Sequence, residues 1–249
     1  ILIGCGDSGI NDGGAGMARA LGARLLDDQG LDLPEGGGAL ERLARIDVSG
    51  LDPRLADVRI DAAVNWHNML LGPRGVARVF GPQKGATPDQ VECLDRGMIR
   101  YAEAILAATG RDVGPMPGAG ASGGLGAGLI AFAGATLHPR FQIMLDYLDF
   151  DRLLGRADLV ITAEGALDGQ SPFGKVPCEV ARRAEALGIP TVALAGTIGK
   201  GARQTYEHGI GAYASIMRKP CSLQKAIGGG AKLLRNAAEN TMRMLLVGQ

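Results

Sequence analysis

Five short apolar runs, Ile1–Gly4, Val58–Val64, Asp158–Thr162, Thr191–Ala195 and Ala212–Ile216, recur along the chain with helical patterns between them. Several are continuous rather than alternating, as strands buried on both faces must be. Strands of that kind, joined through helices, form a parallel sheet, so the sequence is read as α/β. The order is most regular from Asp158 onward: strand, loop, helix Pro177–Leu187, strand, loop, strand, helix. Before about residue 150 long glycine loops interrupt it, and a boundary is expected near Asp151–Arg156. Residues 1–155 and 156–249 are therefore expected to be two domains. The clearest helix runs from Thr87 to Thr109. Thr87-Pro88-Asp89-Gln90 reads as a capping box with Pro at the first helical position. Val91, Leu94, Met98, Ala102 and Ile105 follow at helical spacing, and Gly110 supplies the stop. A second long helical pattern, Leu223 to Leu246, is weakened by Gly228-Gly229-Gly230.

With 249 residues, 46% of them apolar and 21% charged, the chain can bury a sizeable core. Lys plus Arg and Asp plus Glu are both 26, which argues against a nucleic-acid surface built on bulk charge. Cys5, Cys93, Cys178 and Cys221 are scattered without a C-x-x-C pair, a pattern that fits reduced thiols in the cytoplasm. Pro117 to Leu137 carries no charge, long enough nominally to cross a bilayer. Its Gly, Ala and Pro gain little from lipid, so it is read as a glycine loop feeding a buried helix. The chain shows no signal peptide and opens on Ile1 inside an apparent strand, so a preceding N-terminal segment is expected to be missing.

Glycine is 40 of 249 residues, and it gathers in loops that carry polar groups. Ile1–Met17 sets Asn11 and Asp12 among glycines after a strand. Gly4-Cys5-Gly6-Asp7-Ser8-Gly9 matches G-x-G-x-x-G, and Asp27-Asp28 follow about 20 residues on. A dinucleotide loop is disfavoured, because Asp12 would stand where the phosphate belongs. Asp12 is alternatively a cap for a helix over Gly13–Leu21. Gly118–Gly126 places consecutive amides ahead of an apolar helix, which suits either an anion or close packing through small residues. Phe80-Gly81-Pro82-Gln83-Lys84-Gly85-Ala86 puts an amide and a cation in a tight turn. In Asp158–Pro177 a strand expected to end at Thr162 is followed by Glu164, Asp168, Gln170, Ser171 and Lys175. Polar groups beyond a strand's carboxyl end are where open α/β sheets bind ligands. Gly169–Lys175 spells G-x-x-x-x-G-K, but Val176 and Pro177 exclude a Walker A loop. Two carboxylates and a lysine still suit a metal–phosphate site. His67, His138 and His208 have no metal-ligand spacing.

Together these segments resemble the glycerate kinase type-1 family. The family's I-G-x-G-G-S-A-T-N-D-G-G-x-G-M loop is matched over Ile3–Met17, and its G-P-x-G-A-…-F-G-P-Q-K-G-A segment over Gly72–Ala86. Its P-G-A-G-A-A-G-G-L-G loop is matched over Pro117–Gly126, and its D-L-V-I-T-G-E-G-R-x-D-x-Q-S/T-x-x-G-K-x-P stretch over Asp158–Pro177. The resemblance implies a two-domain α/β architecture: an inserted domain up to about residue 155 and the C-terminal part of a flavodoxin-like domain after it, with the site in a cleft between them. It implies phosphorylation of a small hydroxy acid, most simply D-glycerate, with ATP and Mg²⁺. The implied catalytic residues are Asp12, Lys84, Asp168 and Lys175. Substrate contacts are expected from Ser8, Asn11, Asn65, His67, Asn68, Gln83, Gln170 and Ser171. ATP phosphates are expected on Gly13, Gly14, Gly118, Gly120, Ser122, Gly123 and Gly124, and Mg²⁺ on Glu164 or Asp168. The chain departs from the family at Ile10, where a hydroxyl is lost, at Asn65, where a carboxylate becomes neutral, at Trp66 and His67, and at Ala166, where an arginine is gone. A non-catalytic relative that binds a sugar acid or nucleotide is the alternative.

Overall fold

The structure, a computed structural model, describes residues 1–247. The described chain divides into two compact α/β units, one over Ile1–Ile143 and one from Met144 onward.

In the first unit, β1 (Leu2–Gly4) is followed by α1 (Ala15–Ala20), β2 (Arg24–Leu26), β3 (Arg45–Asp47), β4 (Asp61–Val64) and α2 (Val76–Phe80). Then come α3 (Pro88–Thr109), α4 (Ala121–Ala133) and β5 (Thr136–Pro139), and α5 (Arg140–Tyr147) carries the chain into the second unit. Strands β1, β4 and β5 form a parallel sheet in the order β1-β4-β5, with Leu2 opposite Asp61 and Asp61 opposite Thr136. Val64, Ala62 and Leu129 pack where this sheet meets α4. The α4 segment is apolar on every side and buried on almost every side, as expected of a helix between layers. The antiparallel pair β2–β3 and the strand β5 lie outside the expected runs, because three or four residues are too few for periodicity to register.

The α3 helix forms for the reasons its sequence gives. Thr87 Oγ1 accepts from the Gln90 amide and Gln90 Oε1 from the Thr87 amide, a reciprocal cap of about 1 kcal/mol. Met98, Tyr101 and Ile105 are fully buried against Leu25, Leu40 and Phe132. Each such side chain contributes about 1.5–3 kcal/mol of apolar burial. Gly110 closes the helix in the left-handed region at φ +72.

The second unit holds α6 (Phe150–Leu154), β6 (Val160–Leu167), α7 (Val176–Ala186), β7 (Thr191–Ile198), β8 (Ala212–Ser215), α8 (Leu223–Gly228) and α9 (Gly230–Val247). Its three strands are parallel in the order β6-β7-β8, around a core of Leu167, Cys178, Ala181, Ala193, Ala195 and Ile210. The helix expected over Leu223–Leu246 is divided at Gly229. β6 runs five residues beyond the expected end at Thr162, pairing Ala163 with Leu194 and Leu167 with Ile198. Gly196 permits this, since a side chain there would come within 2.7 Å of the Gly165 carbonyl. Glu164 therefore lies in a strand, opposite Ala195, and not in a loop. No helix among the described residues is long and apolar enough to cross a membrane.

Candidate active site

Parallel strands deliver their carboxyl ends to one edge of a sheet, and the connections leaving that edge converge. In the first unit, β1 leads into Cys5–Ser8, β4 into Asn65–Asn68 and β5 into Arg140. Of these, Cys5–Ser8, Asn65, Asn68 and Arg140 line one polar cavity of about 250 Å³. Gln83 and Lys84 complete its wall from the 3₁₀ turn Pro82–Lys84, and Ser122 and Gly123 from the start of α4. The structure thus brings together seven residues that sequence reasoning singled out: Ser8, Asn65, Asn68, Gln83, Lys84, Ser122 and Gly123.

Lys84 sits at the centre of the arrangement. Its Nζ donates to Ser8 Oγ at 2.9 Å and to the Ile10 carbonyl at 2.5 Å. Among the described residues it has no carboxylate partner within ion-pair distance. Burial pushes its pKa below the usual lysine value, with the Asp12 charge opposing. Arg140 also lacks a carboxylate partner among the described residues; its guanidinium lies 4.6 Å from the Phe141 ring centroid. The cavity wall carries these two cations, the Asp7 carboxylate and several neutral donors and acceptors.

Asp12 and the glycines beside it make close contacts within the fold. Asp12 is buried, and its Oδ1 accepts from the Gly14 amide at 2.9 Å and its Oδ2 from the Gly16 amide at 3.0 Å. These bonds brace the turn that enters α1, which begins at Ala15 with Gly14 as its N-cap, two residues later than a helix over Gly13–Leu21 capped by Asp12 would. Asn11 is also buried, with Nδ2 3.5 Å from the Val76 carbonyl. The Gly13 amide donates to the Gly123 carbonyl at 2.9 Å. A Cβ at Gly13 would collide with the Tyr101 ring at 2.3 Å, and one at Gly124 would fall 2.7 Å from Gly13 Cα. Likewise a Cβ at Gly120 would lie 2.0 Å from the Met69 carbonyl, and one at Gly118 would lie 2.5 Å from Val64 Cγ2. What comes close to these glycines is other backbone and core side chains. Ser122, Gly123 and Gly124 take φ of +51, +75 and +92 in succession, which turns the chain into α4. His67 is exposed, and its amide donates to Asn65 Oδ1 at 3.1 Å; it does not line the cavity.

The second unit carries a separate polar cluster in the connection from β6 to α7. Lys175 Nζ lies 3.1 and 3.3 Å from the two oxygens of Asp168 and 3.2 Å from the Ala166 carbonyl. Asp168 Oδ1 also accepts from the Gln170 amide at 2.9 Å and from Ser171 Oγ at 3.3 Å. The Lys175 hydrogen bond, followed by the Gln170 amide, holds the Asp168 pKa below its usual value. Glu164 Oε1 accepts from the Gly165 amide and lines a different cavity of about 800 Å³ with Thr197, Arg218 and Lys219. Among the described residues no group of three or more His, Cys, Asp and Glu stands together as a metal cage.

Sequence reasoning missed Cys5, Asp7 and Arg140. Arg140 could have been found only by recognising β5, since its signal is its position one residue past a parallel strand.

The model of the family described as Glycerate kinase family matches residues 1–246. A glycerate kinase of Halalkalibacterium halodurans is 46% identical over 96% of this chain and 63% of its own length. The glycerate 2-kinase of Escherichia coli K12 is 42% identical over 100% of this chain and 65% of its own. A crystal structure from Salmonella typhimurium LT2, of a protein provisionally named glycerate kinase 2, superposes with a TM-score of 0.84 at 44% identity, over 100% of this chain and 65% of that one. The chain thus spans about two thirds or less of the length of these relatives.

Proposed function

The chain belongs to the glycerate kinase family, and on that premise we propose that it transfers the γ-phosphoryl group of ATP to a hydroxyl of D-glycerate in the cytoplasm. The observation that carries the reading is the polar cavity at the carboxyl ends of β1, β4 and β5. It is about 250 Å³, small enough to select a compact acid, and Lys84 and Arg140 give it two cations without carboxylate partners among the described residues. Ser8, Asn65, Asn68 and Gln83 supply the hydrogen bonds that orient hydroxyl groups. Phosphoryl transfer asks mainly for positioning and for neutralisation of charge on the moving group. Lys84 supplies the charge: two of its protons sit on neutral oxygens, so a phosphoryl oxygen is the anion it lacks. The bond from γ-phosphorus to the β-bridging oxygen breaks, a bond to the glycerate hydroxyl oxygen forms, and Asp7 on the same wall takes the hydroxyl proton.

Mg²⁺ in such reactions keeps several waters and takes one or two protein carboxylates. Within the second unit, Asp168 has the chemistry of such a ligand: it is partly exposed, ionised and oriented by Lys175, Gln170 and Ser171. Glu164 is the second candidate, and a dedicated all-protein cage is not what the described residues offer. When bound, the ion withdraws charge from the phosphates. Lys175 holds the Asp168 carboxylate in one orientation and adds a cation beside it.

The test is ADP formation from ATP and Mg²⁺, with and without D-glycerate. Glycerate-dependent turnover is expected, and Lys84→Met should lower kcat about 10²–10³-fold, the scale for losing one transition-state donor. A folded protein that forms no phosphoglycerate defeats the reading.

A further inference from the structure

A second cavity, of about 430 Å³, lies in the first unit, and the residue it shares with the polar cavity is Lys84. Its walls are made by Ile10, Leu94 and Ala86 and by glycines from two segments, Gly36–Gly38 and Gly81–Gly85. Two of its glycines have no structural need to be glycine. A Cβ at Gly9 or Gly38 would meet nothing within 4 Å, and neither residue takes a positive φ. That contrasts with Gly13 and Gly124, where core atoms forbid a side chain. Glycine where packing does not demand it leaves bare backbone facing open space, a surface on which a flat ring can lie.

We propose that this second cavity holds the purine base and ribose of the nucleotide, and that the polar cavity holds the acceptor, with Arg140 gripping its carboxylate. The inference rests on the kinase reading and deepens it. The cavity is of the size that encloses a nucleoside, with mainly apolar walls. The polar cavity is smaller and cationic, suited to a three-carbon acid. A phosphoryl group must pass from one ligand to the other across a shared boundary, and Lys84 is that boundary. Arg140 offers a planar pair of donors that matches a carboxylate, which leaves the hydroxyl end of the acid turned toward Lys84.

The chain carries its own reporters. Cys93 lines the nucleotide cavity and Cys5 the acceptor cavity. Cys178 is fully buried and Cys221 exposed. The experiment is thiol alkylation at mildly alkaline pH, read site by site by mass spectrometry, with Mg·ADP or D-glycerate as the probe. A ligand at about ten times its Kd should slow its own thiol about tenfold. Mg·ADP is expected to protect Cys93 and spare Cys5, and D-glycerate to do the reverse. Cys178 must stay unreactive, which shows the fold intact. Ala86→Phe, which fills the nucleotide cavity, should abolish protection by ADP alone; Arg140→Gln should abolish protection by glycerate alone. Protection of Cys5 by ADP, or an unprotected Cys93 at millimolar ADP, overturns the assignment. The same samples are assayed for phosphoglycerate. Turnover with Cys93 unprotected sinks the cavity assignment and leaves the kinase reading standing; crosswise protection without turnover supports the cavities and sinks the kinase.

Discussion

Asp168 is fixed by a lysine ammonium, a hydroxyl and a backbone amide, all favouring its ionised form. Its folded pKa lies below the ordinary aspartate value. A carboxyl depressed by folding contributes stability that is complete above its unfolded pKa and is lost as pH falls through the folded one. The expected outcome is a ¹³C-detected Asp168 titration midpoint below the ordinary aspartate value, returning toward it in Lys175→Met. A midpoint already at the ordinary value would mean that the pair is not formed in solution. Much of this residue-scale chemistry is legible in sequence, because Asp168 and Lys175 are seven positions apart in a single loop. Lys84 and Ser8 are also recognisable as groups that carry chemistry, yet their 2.9 Å contact joins positions 76 apart, and no local pattern reports that. Asp12 shows the opposite limit. Its residue type fits a ligand or a cap equally well, and only the fold reveals that its oxygens face the Gly14 and Gly16 amides at the entry to α1.

At the scale of elements, the entry to α4 is where backbone conformation and close packing coincide. Gly123 takes φ +75, and a Cβ there would stand 1.9 Å from the Ile10 carbonyl oxygen. Gly123→Ala is expected to destabilise the protein by about 3 kcal/mol or more, from an imposed left-handed residue plus a clash with main chain. Gly38→Ala, with open space and no positive φ, should stay within about 1 kcal/mol. Denaturant unfolding of the two variants side by side checks both, and equal midpoints would refute the distinction. The sequence displays both as glycines and cannot rank them, because the atoms that decide are more than a hundred positions away for Gly123. The α3 helix is the contrary case: cap, apolar spacing and stop all fall within one stretch, and its bounds are read almost to the residue. Strand β5 fails for want of length, and with it goes the placement of Arg140.

For the molecule as a whole, polar and apolar surfaces are unevenly distributed. The most exposed large apolar side chains gather on α8 and α9, with Leu223 75%, Ile227 72% and Val247 88% exposed. Apolar surface of this extent on a chain with zero formal net charge favours self-association. The chain is expected to bind the dye ANS and to sediment faster as concentration rises. Changing Leu223 and Ile227 together to lysine should suppress both effects while altering unfolding free energy by less than about 0.5 kcal/mol. Unchanged sedimentation would place the sticky surface elsewhere. The α/β class and the parallel order of the second unit follow from continuous apolar runs. The antiparallel pair β2–β3 follows from tertiary packing, which no local pattern expresses, whereas the division at Gly229 falls in the glycine triplet that weakens the helical pattern.

Gly123, Gly124 and Gly128 of α4 meet the main chain of Ile10–Gly14, with a Cβ at Gly128 falling 2.7 Å from the Gly13 carbonyl oxygen. Where two side chains collide, one can shrink to make room for the other, and a lineage can exchange bulk across the contact. A seam without side chains has nothing to give up. An enlargement on the α4 side therefore has no compensating partner, and a selection for second-site suppressors of Gly123→Ala should return revertants. The seam joins the segment that carries Ser8 to the segment that carries Ser122, so the cavity wall can be retuned at its side chains while the line behind it stays closed to change.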